Sequence, residues 1–433
     1  MSNTRMDRRE ALGQIGVAGA SAVAGLSSAG GLLRAEEQAS LPTKPVAPKP
    51  VAAIVTIYNK GSHSDVILGR ILEGWKQDGG PGPALKLVSL YVDQFPADDI
   101  ARAMAKKHSV PIFDTIDGAV GVGTNGLPVD GVLCIGEHGD YPWNDLGQHL
   151  YPRRRFLTEI AAALEKRGRV VPVFHDKHLG PAWDDAKWMY ERAKELRIPI
   201  MAGSSLPVGY RKPDLEIPLG ADIEAAVGIG YDGRDVYGFH ALECLQCVVE
   251  RRLGGETGVA WVEALEGEQV WKIVDADPKL AALFAAALEG VPHVPVDRMR
   301  KDEGIALIRI GYRDGFTGHQ FLMNVSASLT GVAVKLRGED QPRVCHFEER
   351  PHERYPHFAW LTKAIERMVH TGRSPYPVER TYLTGGILDR ALRSLAEEGR
   401  RRDTPELAIS YAPVAYPHAP VPDLTSSPTA PLP

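Results

Sequence analysis

The chain has 433 residues, more than one hydrophobic core normally organises, so two domains are expected. Hydrophobic residues make up 44% and charged residues 24%, with a formal net charge of -5, which is the composition of a globular protein. That balance offers no basic footprint for a polyanion, and nucleic acid is not expected as a partner.

At the N-terminus, Arg8 and Arg9 precede an uncharged run, residues 11–33, rich in Gly, Ala, Val and Ser. The pattern reads as a twin-arginine signal peptide over residues 1–35, with Ser27, Ala29 and Ala35 as small residues for cleavage. It predicts a periplasmic or otherwise extracytoplasmic location. The run is too rich in glycine to make a spanning helix, so no integral membrane span is expected in the mature chain. Residues 36–50 read as a Pro-rich linker, extended and semi-rigid.

From residue 51 short apolar runs alternate with helical patterns, the signature of a parallel sheet covered by helices. Strands are expected at 51–58, 85–92, 131–135, 170–174 and 198–202, and helices at 66–75, 97–108, 153–167 and 183–196. Residues 51–206 therefore read as a Rossmann-like, doubly wound nucleotide-binding domain. Residues 207–410 read as an α+β domain with an open, mostly antiparallel sheet. Its strands are expected at 223–229, 258–264, 304–313 and 320–327, and its helices at 235–252, 358–370 and 381–398. An open sheet commonly buries its free face against another subunit, which makes a homo-oligomer the expectation. The end of the chain, 411–433, is rich in Pro, Ala, Ser and Thr and reads as a disordered tail. Four cysteines are too few for a disulfide framework, and Cys244 and Cys247, in an apolar helical setting, read as core thiols.

In a doubly wound domain ligands bind beyond the carboxyl ends of the strands, so the loops there carry the chemistry. The first holds Tyr58, Lys60, Gly61 and Ser62, where a dinucleotide enzyme would have three spaced glycines to let the backbone approach the pyrophosphate. Only Gly61 is present, and Lys60 could offset phosphate charge. After the second strand stands Asp93, either a ribose acceptor that would favour NAD over NADP or a plain loop aspartate. The later loops gather Glu137, His138 and Asp140, then His175, Asp176, Lys177 and His178. With His63, the residues His138, His175 and His178 are candidate ligands for a divalent metal, the carboxylates of Glu137 and Asp140 beside them. Loop histidines that only form hydrogen bonds are the alternative.

Two of these stretches resemble the family of glucose-fructose oxidoreductase and inositol 2-dehydrogenase (Gfo/Idh/MocA), and the resemblance covers most of the chain. That family has a strand ending in Glu-Lys-Pro, and here Asp176-Lys177-His178 stands at the place, with the lysine kept and the proline lost. Its Gly-x-His-x-x-Asp motif is similar to Gly238-Phe239-His240-Ala241-Leu242-Glu243, with glutamate for aspartate. The resemblance implies that His240 acts as acid/base on a sugar hydroxyl and that Lys177 assists, with NAD or NADP held by Tyr58, Lys60, Gly61, Ser62, Asp93 and Glu137. The chain departs from the family in the glycine loop and in residues 137–142.

The expectation is an exported oxidoreductase acting on a sugar or cyclic polyol with tightly bound NAD(P). Two alternatives stand beside it. One is a metal-assisted carbohydrate lyase, hydratase or isomerase that uses no nucleotide. The other is a carbohydrate-binding protein without catalysis.

Overall fold

Strand β1 (Lys49–Val55) is the apolar centre of the first lobe: residues 51–55 are fully buried, as a strand covered on both faces by helices requires. The computed structural model describes residues 46–231, 233–323 and 329–432. The signal expected at 1–35, and residues 36–45 of the expected linker, lie outside the described residues. The linker's last two residues already belong to β1.

The first lobe continues with α1 (His63–Glu73), β2 (Leu85–Val92), α2 (Ala101–His108), β3 (Ile112–Phe113), α3 (Ile116–Gly121) and β4 (Gly131–Ile135). It ends with α4 (Arg153–Lys166), β5 (Val173–Asp176), α5 (Trp183–Glu195) and β6 (Ile200–Gly203). All pairings are parallel and the strand order is β3-β2-β1-β4-β5-β6, the doubly wound order that opens a crevice beside β1. This is the Rossmann-like sheet read from the alternating runs, with β3 and α3 added.

The second lobe holds β7 (Tyr210–Lys212), β8 (Ile223–Tyr231), α6 (Val236–Val249), β9 (Val259–Glu266), α7 (Glu268–Ala276), α8 (Pro278–Leu288) and α9 (Val296–Met299). It goes on with β10 (Ala306–Tyr312), β11 (Thr317–Met323), β12 (Leu329–Leu336), β13 (Arg343–Glu348), α10 (His357–Thr371), α11 (Glu379–Ala396) and β14 (Arg402–Asp403). The eight strands are ordered β14-β9-β10-β11-β8-β12-β13-β7, and only β8 and β11 run parallel. The α+β architecture stands as expected.

Three expectations need correction. The sheet is not open over its whole outer face: Leu280, Leu283, Phe284 and Ala287 of α8, with Val270 and Trp271 of α7, pack on Val227, Ile229, Leu307, Phe321 and Ala333, while Glu263, Arg309 and His319 form a half-buried row across β9, β10 and β11. Helix α10 does not stay with its neighbours in sequence. Its Phe358, Leu361, Ile365, Met368 and Val369 join Val51, Leu87 and Leu133 in the first lobe's core, each such side chain contributing about 1.5–3 kcal/mol. Gly131 makes room for it, since a Cβ there would lie 2.8 Å from a Val369 methyl. Finally, residues 411–432 are an ordered strap rather than a loose tail. The Trp360 indole donates to Pro422 O at 3.1 Å, and the Lys363 ammonium donates to Leu424 O and Ser426 O. Proline-rich chain lacks amide donors but keeps its carbonyls, and α10 supplies the cations that bind them.

Candidate active site

Two turns at strand ends aim the first lobe's polar groups at the second lobe. His138, after β4, and Lys177, after β5, both have positive φ, at 66° and 60°. Such left-handed conformations in residues other than glycine are costly and cluster at ligand sites. The Lys177 turn is fixed by the Gly203 amide, which donates to Lys177 O at 3.1 Å.

Behind these turns lies a buried charge network. Lys177 Nζ donates to Glu137 Oε1 at 2.8 Å, and Arg153 donates to Glu137 Oε2 at 2.5 Å. Burial alone would raise the Glu137 pKa, but Lys177 and Arg153 overcome it and hold the carboxyl well below the usual range. Arg153 also donates to Gly136 O at 2.9 Å and to His178 Nε2 at 3.0 Å, while His178 Nδ1 donates to Gly180 O at 2.9 Å. Removing one partner of such a network leaves an unpaired buried charge, which costs about 3–5 kcal/mol.

The first residue of α1 supplies a second arrangement. His63 Nδ1 lies 2.6 Å from Asp176 Oδ2, and Asp176 is 1% exposed. A buried carboxylate bonded to one ring nitrogen fixes the tautomer and leaves the other nitrogen as a base. The His63 ring also stands edge-on to His138 and to Phe358, with centroids 5.5 and 4.9 Å away.

From the second lobe, the first turns of α6 bring in His240. Its Nδ1 lies 2.6 Å from Ser204 Oγ, which accepts from the Leu206 amide at 3.1 Å. With that amide bonded to Ser204, the hydroxyl proton is free to go to Nδ1, which puts the imidazole proton on Nε2. Burial, with Lys177 and His63 nearby, holds the His240 pKa well below its ordinary value, so the ring is neutral. One turn on, Glu243 accepts from Thr384 Oγ1 at 2.7 Å and from the Ser204 amide at 3.3 Å, tying α6 and α11 to the end of β6.

His63, His138, Lys177, Tyr237, His240 and His357 line one cavity of about 150 Å³ between the lobes. Pockets for drug-sized ligands run from about 300 Å³ upward. This one suits a molecule of roughly monosaccharide size or smaller.

The residues where a dinucleotide would lie do not fit one. At the N-terminus of α1, the Gly61 amide donates to Asp65 Oδ2 at 2.9 Å, so a carboxylate sits where a pyrophosphate would accept. The Tyr58 ring is fully buried. Asp93 is already bonded to Tyr91 OH at 2.6 Å, Tyr141 OH at 2.7 Å and Arg155, so three donors of the chain itself compete with a ribose for it. The loop after β4 closes over the same place, Gln94 exchanging two hydrogen bonds with the Asp140 backbone at 2.9 Å.

The site residues read from the sequence thus separate into groups. Lys177 and His240 meet on the cavity. His63 and His138 meet there too. Glu137 is the buried counter-ion of Lys177 rather than a cofactor ligand, and Ser62 caps α1 while donating to Asn59 O at 2.7 Å. Lys60 is exposed. The proposed metal cluster does not form. His175 is fully buried within β5 beside Cys134, His178 is bound to Arg153, and among the described residues no three His, Cys, Asp or Glu side chains are placed to hold a metal. The sequence reading missed Asp176 as the partner of His63, and it missed Ser204, Tyr237 and His357. The two thiols of Cys244 and Cys247 are buried in the core.

No family model matches the sequence, and no curated protein does. Solved structures match the fold. GenD2 from gentamicin A biosynthesis, in complex with NAD, aligns at 13% identity and TM-score 0.53 over 83% of this chain and 97% of its own. A probable dehydrogenase from Thermotoga maritima aligns at 14% identity and TM-score 0.52 over 83% of this chain and 99% of its own. The super-repressor mutant of Gal80p from Saccharomyces cerevisiae aligns at 10% identity and TM-score 0.50, over 84% and 99%. At this identity the likeness establishes the two-domain fold that the resemblance implied.

Proposed function

We propose that this chain is an enzyme acting on a small sugar or cyclic polyol by proton transfer at a carbon bearing oxygen. One observation carries the reading: the His63–Asp176 pair opens onto the same cavity as the Lys177 cation and the neutral His240. His63 is the general base, its orientation set by Asp176. Lys177 and the Nε2 proton of His240 face the substrate oxygen and stabilise the negative charge that grows on it as the proton leaves. Glu137, bonded to its ammonium at 2.8 Å, keeps Lys177 aimed.

The shared fold supports an oxidoreductase, the form this chemistry takes if a nicotinamide accepts hydride, as GenD2 is found in complex with NAD. The crevice residues favour the other form, in which the substrate keeps its oxidation level. Export is part of the proposal and rests on Arg8, Arg9 and the run at 11–33.

The test is turnover by the purified chain on a panel of aldoses, ketoses and cyclic polyols, with and without NAD(P), followed by proton NMR. Changing His63 to Asn, Lys177 to Ala or His240 to Ala should each lower the rate by about 10²–10⁴-fold. A wild-type protein that binds a sugar but neither converts it nor exchanges its protons would make this a binding protein instead.

A further inference from the structure

Building on that proton-transfer reading, we infer that the chain works without a dinucleotide, because its own side chains and loops occupy the crevice. Four separate features agree. The Asp65 carboxylate takes the Gly61 amide at the N-terminus of α1, the place of a pyrophosphate. The loop after β1 is bonded directly to the loop after β2, Ile100 N donating to Tyr58 O at 2.8 Å and Asn59 pairing with Asp99, across the path an adenosine would follow. Asp93 is engaged by Arg155 and two tyrosine hydroxyls. The loop after β4 is latched onto Gln94. What remains open is the 150 Å³ cavity at the interlobe end, with its base and its two oxyanion partners.

With no hydride acceptor the reaction must conserve electrons within the substrate. The substrate class that fits is a carbonyl-bearing sugar or cyclic polyol. His63 takes the proton from the carbon beside the carbonyl, and the C–H electron pair becomes the C=C bond of an enediolate. The carbonyl π pair moves onto oxygen, where Lys177 and His240 hold the charge. The proton held by His63 returns to the former carbonyl carbon on the C=C electron pair, while the hydroxyl on the deprotonated carbon gives its O–H proton by way of His240 to the enediolate oxygen and becomes the new carbonyl; the isomer forms and no oxidant or reductant is consumed.

The experiment has two readouts on one preparation of full-length protein. Small molecules released on denaturation are identified by mass spectrometry, and NAD+, NADH, NADP+ and NADPH are titrated calorimetrically to about 1 mM, which would register any site worth about 4 kcal/mol or more. In parallel, ketoses, aldoses and keto-polyols are incubated in D2O without nucleotide and followed by NMR for loss of the proton beside the carbonyl. The expected result is no stoichiometric nucleotide, no saturable binding, and deuterium incorporation that falls about 100-fold or more in Asp176→Asn. Released nucleotide or saturable binding would overturn the inference while leaving the proton-transfer reading intact. Absence of both nucleotide and exchange would uphold the closed crevice and remove the enzyme reading.

Discussion

Asp235 shows how a single residue near the site sets a pH dependence. Burial pushes its carboxyl up to about 6 from an ordinary 3.8, with the His149 amide and Arg153 opposing. As pH rises the unfolded chain gives up this proton first, so stability declines between about pH 4 and pH 6 and stays lower above. A shift of about two units corresponds to at most about 3 kcal/mol. Asp235→Asn keeps an acceptor for the His149 amide, at 3.2 Å, and removes the charge. It should raise the melting temperature by a few degrees at pH 7 and leave it unchanged at pH 4, as scanning calorimetry would read; equal effects at both pH values would refute the assignment. The histidines act at the other end. Burial lowers His138 to about 4 and His357 to about 3, so both fold neutral. Their contribution is complete above the ordinary histidine pKa of about 6.5 and is lost as pH falls toward 4. Neither effect was legible in the sequence, because each depends on what buries the group.

At the scale of elements, the segment that joins β13 to α10, with the first turn of α10, completes the cavity by bringing Tyr355, His357 and Phe358 to it. It is held by one side chain of α1. Arg70, 2% exposed, donates to Arg354 O at 2.8 Å and to Tyr355 O at 2.9 Å, and burial lowers its pKa to about 10. Arg70→Ala should take the guanidinium donor from the Arg354 carbonyl, at about 1–3 kcal/mol, while Tyr355 O keeps the Phe358 amide at 3.1 Å. Hydrogen exchange across residues 349–358 is then expected to speed up, with KM rising more than kcat falls; unchanged exchange there would show that the segment is held by its apolar contacts instead. The sequence placed the start of α1 at residue 66, whereas the Ser62 cap starts it at His63. That three-residue difference decides the site, since it moves His63 from a loop to a rigid helical turn that can meet Asp176.

For the whole molecule, the two lobes are interlocked: α10 belongs to the second in sequence and to the first in packing, and the strap at 411–432 covers it. Truncation after residue 412 should remove the carbonyl partners of Lys363, whose side chain is buried against Glu366 at 2.7 Å, and of Arg367. A loss of several kcal/mol is expected, visible as a fall of roughly ten degrees in melting temperature, with the first lobe affected most. A truncated chain that melts like the full one would mean the strap adds nothing. Helices α7 and α8 cover part of the outer sheet face and leave the row of Glu263, Arg309 and His319 half-buried across β9, β10 and β11.

The sequence by itself determined the two lobes, the parallel sheet, the α+β partner and the two residues, Lys177 and His240, that mark the cleft. These follow from local information: apolar periodicity, strand-ending loops and short motifs. It could not determine that Glu137 is a counter-ion, that His175 and His178 turn inward, or that Asp65 and the loops after β1, β2 and β4 fill the crevice. Those outcomes depend on which side of a strand a residue faces and on contacts between segments far apart in the chain. A shift of one residue in a strand exchanges core for cleft. Only the folded chain fixes that choice, and with it the difference between a nucleotide crevice and a small closed pocket.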